Sequence, residues 1–189
     1  MKEEKILLHT CCGPCSIYCV EKMKQLNLNF ELLWYNPNIH PYKEYQARRD
    51  ALIELYKDTD VKVNILEEYG LREFCRNVVG KENERCIYCY TKRIEETAKY
   101  AKQNGFTSIC TTLFISPYQN HELLKKICQQ MAEKYNIGFT YIDFRDGFRD
   151  GQAKAREKGI YMQKYCGCIY SEEDRYSKQI KKDKEKYNI

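Results

Sequence analysis

The chain has 189 residues, eleven of them cysteine and 17 tyrosine, with 32 Lys and Arg against 27 Asp and Glu for a formal net charge of +5. That length supports one domain with a substantial apolar core, so stability does not require disulfide staples. There is no apolar run long enough to cross a bilayer, and the stretch behind the charged start is too brief for a secretory core, so the sequence reads as cytoplasmic with no membrane partner. In a reducing compartment clustered thiols read as metal ligands or transient redox pairs. The mild positive charge permits a polyanionic partner, and tyrosine beside Lys or Arg suits a ring stacked on an exposed base with its phosphate held by a cation.

In chain order, Lys5 to Thr10 (K-I-L-L-H-T) is expected to be a first strand, followed at once by the loop C-C-G-P-C. Pro14 suits a first helical position, and Ile17, Val20, Met23 and Leu26 continue a helical rhythm. A second strand is expected over Phe30 to Tyr35, a helix over Pro41 to Lys57, and a third strand over Val61 to Leu66. Helices follow around Leu71 to Val79 and from Cys86 to Gln103, then a strand over Phe106 to Thr112 and a helix over His121 to Tyr135. A strand around Phe139 to Phe144 and a short helix near Ala153 complete the series.

This alternation predicts an α/β fold: a single-domain parallel sheet flanked by helices, spanning 1–189, with a core of about 5–171 and a charged tail over 172–189 that is solvated helix or frayed end. Ligands of such sheets bind at the carboxyl ends of the strands. The loops C-C-G-P-C, N-P-N-I-H-P, S-P-Y-Q-N and R-D-G-F-R would then face one side.

The cysteines fall into groups. Cys12-Gly13-Pro14-Cys15 has thioredoxin-like spacing, but only one strand precedes it and Cys11 adds a thiol that exchange chemistry does not need. Metal ligation accounts for the extra thiol better, although adjacent cysteines are expected to point in different directions, which makes one tetrahedral zinc awkward. Cys86 and Cys89, at i and i+3 of a helix start, form a familiar ligand pair. Together Cys11, Cys12, Cys86 and Cys89 supply the four ligands of a 4Fe-4S cluster, or equally of a four-cysteine zinc site. Cys166-Gly167-Cys168 reads as a candidate redox-active pair, or a dithiol that accepts metal, against a surface turn. Cys19, Cys75, Cys110 and Cys128 read as core residues, and Cys15 stays open between ligand, neighbour and packing roles. His9, His40 and His121 lack a metal-binding pattern.

Six segments in order, L-L-H-T-C-C-G-P-C-S, Y-N-P-N-I-H-P, R-C-I-Y-C-Y-T-K-R, T-T-L-F-I-S-P-Y-Q-N, D-F-R and Q-K-Y-C-G-C-I-Y-S, together resemble the cobalamin-independent epoxyqueuosine reductase family, QueH, from about Lys5 to Ser171. The resemblance implies an oxidoreductase that reduces the epoxide of epoxyqueuosine to queuosine at the wobble position of a tRNA. It implies a 4Fe-4S cluster on Cys11, Cys12, Cys86 and Cys89, and a redox-active disulfide between Cys166 and Cys168. It also implies a fold similar to the adenine nucleotide α-hydrolase (HUP/Rossmann) type. The partners would be the anticodon loop carrying epoxyqueuosine and an unidentified electron donor.

Within that reading, Cys166, Cys168 and Asp143 form a candidate second metal site as an alternative to disulfide cycling. Tyr35, Tyr118, Gln119 and Arg145 are candidates for the splayed nucleotide. Lys92 and Arg93 are candidates for phosphate or thiolate contacts, against a solvated helix face. Two rivals stand beside it. A sulfur-transfer enzyme of the ATP pyrophosphatase group should carry S-G-G-x-D-S after the first strand, which C-C-G-P-C-S lacks. A non-catalytic zinc module would use the cysteines only to build a surface.

Overall fold

The computed structural model describes residues 4–187. Five parallel strands form one sheet in the order β3-β2-β1-β4-β5: β1 Lys5–Thr10, β2 Asn29–Trp34, β3 Val63–Ile65, β4 Ser108–Thr111 and β5 Gly138–Phe139. β1 lies at the centre because its near-continuous apolar run, with Ile6, Leu7 and Leu8 all fully buried, can be covered from both faces. It aligns Leu8 with Leu32 of β2 and Leu7 with Ile109 of β4.

The connections are helical: α1 Gly13–Gln25, α2 Tyr42–Tyr56, α3 Leu71–Val78, α4 Arg85–Gln103, α5 His121–Tyr135, α6 Phe148–Glu157 and α7 Ile169–Tyr187. α1 packs against α2 and α6, and α4 against α3 and α5. Right-handed crossovers moving outward from β1 in opposite directions put these sets on opposite faces of the sheet. The turn in strand order therefore falls between β1 and β4, and the crevice beyond their carboxyl ends is where such sheets place a ligand.

Local chemistry sets several boundaries. Pro14 occupies the first turn of α1, where its missing N–H costs nothing. The Asn120 side chain caps α5 by accepting from the Leu123 N–H, and Asn136 ends that helix in a left-handed conformation. The helices agree with expectation within a residue or two, but the outer strands are shorter. Val61–Leu66 contributes only Val63–Ile65, paired with β2, and Phe139–Phe144 pairs with β4 only at its start, where Phe139 lies opposite Ile109. At the tail, a regular helix, α7, begins at Ile169 and has no buried residue.

Candidate active site

The loop between β1 and α1 brings Cys11, Cys12 and Cys15 together, their sulfur atoms all within 4.8 Å of one another and the residues buried. Cys12 is the helix N-cap in fully extended conformation (φ −174°, ψ 164°), and the next residue already turns into α1. This abrupt change swings the adjacent side chains onto one side, so the Cys11 and Cys12 sulfurs lie 3.7 Å apart. Adjacent cysteines thus converge here, contrary to the expectation that they diverge, and Cys15 joins them one helical turn on.

These thiols do not share charge equally. Hydrogen bonds from Cys12 and Cys15 hold the Cys11 thiol well below its ordinary range against the effect of burial, with the Thr112 hydroxyl, 3.5 Å from the sulfur, and the Arg93 guanidinium assisting. Burial and the Cys11 charge push Cys12 up, and the hydrogen bonds to Cys11 and Cys12 do the same to Cys15. Gln163 donates from Nε2 to the Cys12 sulfur at 2.9 Å, while its Oε1 is buried without a partner. Nearby His9 is a core histidine: burial first, then Arg93, lower its pKa to about 4. The Tyr35 carbonyl can only accept, so Nε2 carries the proton, and Nδ1 accepts from the Thr111 hydroxyl at 2.9 Å.

A second group of thiols forms where the start of α4 meets the segment before α7. Cys89 and Cys168 share a small buried cluster with Phe74 and Val78, whereas Cys86 and Cys166 are exposed. Burial raises the Cys86 and Cys89 thiols, and the charges of Cys166 and Cys168 add to this. Arg93, 2% exposed and donating to the Asn38 Oδ1 at 2.6 Å, lowers Cys11, Cys86 and Cys89 alike, so its guanidinium serves both groups.

The C-G-C segment is strapped down from α2. Arg48, 2% exposed, donates to the carbonyls of Cys166 (2.8 Å) and Tyr165 (2.9 Å) and to the Glu44 carboxylate (2.6 Å). Glu44 in turn accepts from the Tyr161 hydroxyl. The His40 N–H donates to the Gly167 carbonyl, and the Tyr165 hydroxyl to the His40 carbonyl. Gly167 is glycine for a reason: at φ +148° a Cβ would lie 3.2 Å from Ile39 and 3.3 Å from the Arg48 guanidinium.

Between these groups opens a cavity of about 640 Å³ whose lining includes Cys11, Cys15, Cys166, Tyr118, Gln119 and Gln163. Gln119 is oriented by the Tyr90 hydroxyl at 2.6 Å and points its Nε2 at the Cys166 sulfur, 3.5 Å away. Tyr118 is 84% exposed, its ring edge-on to Phe148.

Not every expected residue reaches this cavity. Tyr35 is 2% exposed with its hydroxyl on Glu68, so its ring offers no face to a nucleotide. Arg145 is held by Asp143 in a two-residue ion pair and does not line the cavity, and Asp143 is not brought within ligand distance of Cys166 and Cys168. Lys92 is engaged by Glu73 and Glu68 on the surface, while Arg93 is buried and belongs to the thiols. Among the described residues, Cys86 and Cys89 are not within the same ligand-distance group as Cys11 and Cys12. Cys19, Cys110 and Cys128 are buried in the main core, and Cys75 packs against the smaller cluster. Arg48 carried no sequence signal, since its neighbours come from distant segments, while Thr112 and Phe148 lay inside segments the sequence singles out, with no role attached. Gln163 sat inside a quoted motif with no role attached.

Three buried, convergent sulfur donors fit a soft metal or an iron-sulfur cluster, and the two guanidiniums beside them, Arg48 and Arg93, suit the negative charge such a ligand set carries. Fold and site define the class: a Rossmann-like parallel α/β protein with a cysteine-lined cavity at the sheet's switch point. The family model described as Epoxyqueuosine reductase QueH matches residues 6–174. The chain belongs to that family and is therefore an oxidoreductase.

It is 33% identical over 174 residues to Epoxyqueuosine reductase QueH of Dehalococcoides mccartyi, covering 92% of this chain and 96% of that one. For the proteins of the same name from Thermotoga maritima and Acinetobacter baylyi the identity is 32%, with 88% and 90% of this chain and 89% and 82% of theirs covered. Among solved structures, a predicted subunit of tRNA methyltransferase from Methanocaldococcus jannaschii matches with a TM-score of 0.53 at 15% identity, over 82% of this chain and 75% of that one, a likeness of fold alone.

Proposed function

We propose that the protein reduces the epoxide of epoxyqueuosine, at the wobble position of a tRNA, to the cyclopentene of queuosine. The observation that carries this reading is the cavity that Cys11, Cys15 and Cys166 share with Tyr118 and Gln119. It sets thiol chemistry against an exposed aromatic ring in a space large enough for a nucleotide base with its substituent.

Removing the epoxide oxygen as water consumes two electrons and two protons. Cys166 and Cys168, strapped by Arg48, are proposed as the dithiol that supplies the electron pair and becomes a disulfide, to be reset by an external donor. Gln119, with its amide turned to Cys166 by Tyr90, would hold that sulfur toward the substrate, and Tyr118 would stack on the splayed nucleotide. A 4Fe-4S cluster, proposed on Cys11 and Cys12 with Cys86 and Cys89, would supply single-electron transfer; Cys15, which meets Cys11 and Cys12, is a further candidate donor. Arg93, shared by both thiol groups, would stabilise the ligand charge.

Anaerobic incubation with epoxyqueuosine-containing tRNA and a strong reductant, followed by nucleoside mass analysis, tests this directly. Queuosine is the expected product, and its loss in Cys166→Ala is expected as well. A cluster-replete protein that yields no queuosine would overturn the reading, and a colourless protein holding only zinc would favour the non-catalytic module.

A further inference from the structure

We infer that Lys164, Arg175 and Lys178 form a phosphate-binding rim over the thiol cavity, and that α7 is the element on which an RNA strand docks. This rests on the proposed reaction at the same cavity and names the residues that would hold its polynucleotide substrate.

The cavity has two unlike walls. One is the sheet side, with Cys11, Cys15 and Thr112; the other is the face of α7 that carries Ser171, Asp174, Arg175 and Lys178. Those positions are spaced i, i+3, i+4, i+7, so a single helical face closes the site. Charge on that rim is unbalanced. Asp174, the acidic residue among the lining side chains, is engaged by Arg85. Lys164, Arg175 and Lys178 are exposed, and among the described residues none has a carboxylate within 4.0 Å. Three free cations around a cavity mouth form a field for an anion.

Beyond the rim the imbalance continues. From Lys181 to Tyr187 the helix carries four basic side chains against two acidic ones. A helix of 19 residues is about 28 Å long. No residue of α7 is buried, so its fold-stabilising burial is slight, and its charged surface is free for a partner.

The occupant we commit to is a single RNA strand rather than an acidic protein. The cations surround the mouth of a cavity that could take one nucleotide, and the ring of Tyr118, 84% exposed, stands on the same cavity lining. Stacking beside backbone neutralisation is the pairing that single-stranded RNA uses, whereas the apolar surface a protein partner would need, Ile169, Tyr176 and Ile180, lies on a different face of α7 from the cavity lining.

The test compares the wild-type chain with the triple variant Lys164→Gln, Arg175→Gln, Lys178→Gln. Binding of epoxyqueuosine-containing tRNA is measured by fluorescence anisotropy across a salt series, with circular dichroism to confirm folding. Three phosphate contacts at about 0.7 counterions each predict that the slope of log K against log salt falls by about 2. The affinity near physiological salt should fall at least about tenfold. Lys57→Gln with Lys99→Gln, two lysines paired with Glu54 and Glu96, should change neither quantity. Lys178→Glu alone, a single exposed change, gives the same readout should the triple variant fold poorly.

Wild-type slope and affinity in both rim variants would overturn the proposal. So would unchanged tRNA binding accompanied by a lost response to an acidic protein reductant, which would reassign α7 to a protein. Because the measurement is of binding, a wild type that grips tRNA through the rim but makes no queuosine refutes the reaction and leaves the rim standing. A wild type that makes queuosine with a rim-independent affinity does the reverse.

Discussion

Glu31 on β2 lies between Lys5 (2.7 Å) and Lys62 (3.0 Å) and accepts from Asn64 (2.9 Å). Burial alone would raise its pKa, but these three donors overcome that and hold it at about 2. A carboxylate depressed in the folded state stabilises above its unfolded pKa, here 4.5, and loses that contribution as pH falls toward 2. Glu31→Gln should therefore flatten the acid limb of the Tm-versus-pH profile between pH 4.5 and 2; equal steepness in variant and wild type would refute the assignment. None of this shows in the local sequence, where Glu31 interrupts an apolar strand like any outward-facing residue. Its partners come from β1, from β3 and from the residue just before β3. His9 is a simpler case: the sequence shows it isolated and without a metal-binding pattern, and the fold buries it completely.

Elements add a constraint that single residues do not carry. α1 and the turn leading into α6 approach so closely that a Cβ on Gly147 would lie 2.1 Å from the Tyr18 ring. Gly147→Ala should thus destabilise the fold by about 1–3 kcal/mol or more, through overpacking at this contact. Thermal unfolding checks this, and Tyr18→Ala added to Gly147→Ala should recover much of the loss; no recovery would place the strain elsewhere. The glycine is visible in R-D-G-F-R-D-G, but its reason is not, because Tyr18 is on a helix more than a hundred residues earlier. Helix limits were legible, since Pro14, Asn120 and Asn136 act within one turn of their own backbone. Strand limits were less so, because they depend on pairing with a strand that lies elsewhere in the chain.

Across the whole molecule, the decisive contact joins α2 to the segment before α7 through Arg48 and Glu44. Removing one partner of a pair this buried leaves an uncompensated charge. Arg48→Met is expected to cost about 3–5 kcal/mol, and it should free Cys166 for faster alkylation. Denaturant unfolding and thiol-labelling rates measure the two effects; Glu44→Gln added to Arg48→Met should restore part of the stability but not the wild-type labelling rate. A restored wild-type rate would mean that Glu44, not the strap, governs the reactivity of the sulfur.

The sequence by itself determined the order of strands and helices, the parallel sheet, the cysteine loop after β1 and, through six motifs, the family. These are local or linear properties: side-chain period, caps and motif order are written along the chain. Only the tertiary structure decided which thiols meet. It gathered Cys15 with Cys11 and Cys12, set Cys86 and Cys89 beside Cys166 and Cys168, withdrew Tyr35 into the core, and turned a charged tail into the wall of the cavity. The physical reason is that residues 11, 48, 119 and 166 become neighbours through sheet order and long-range packing, and no local periodicity encodes the distance between them.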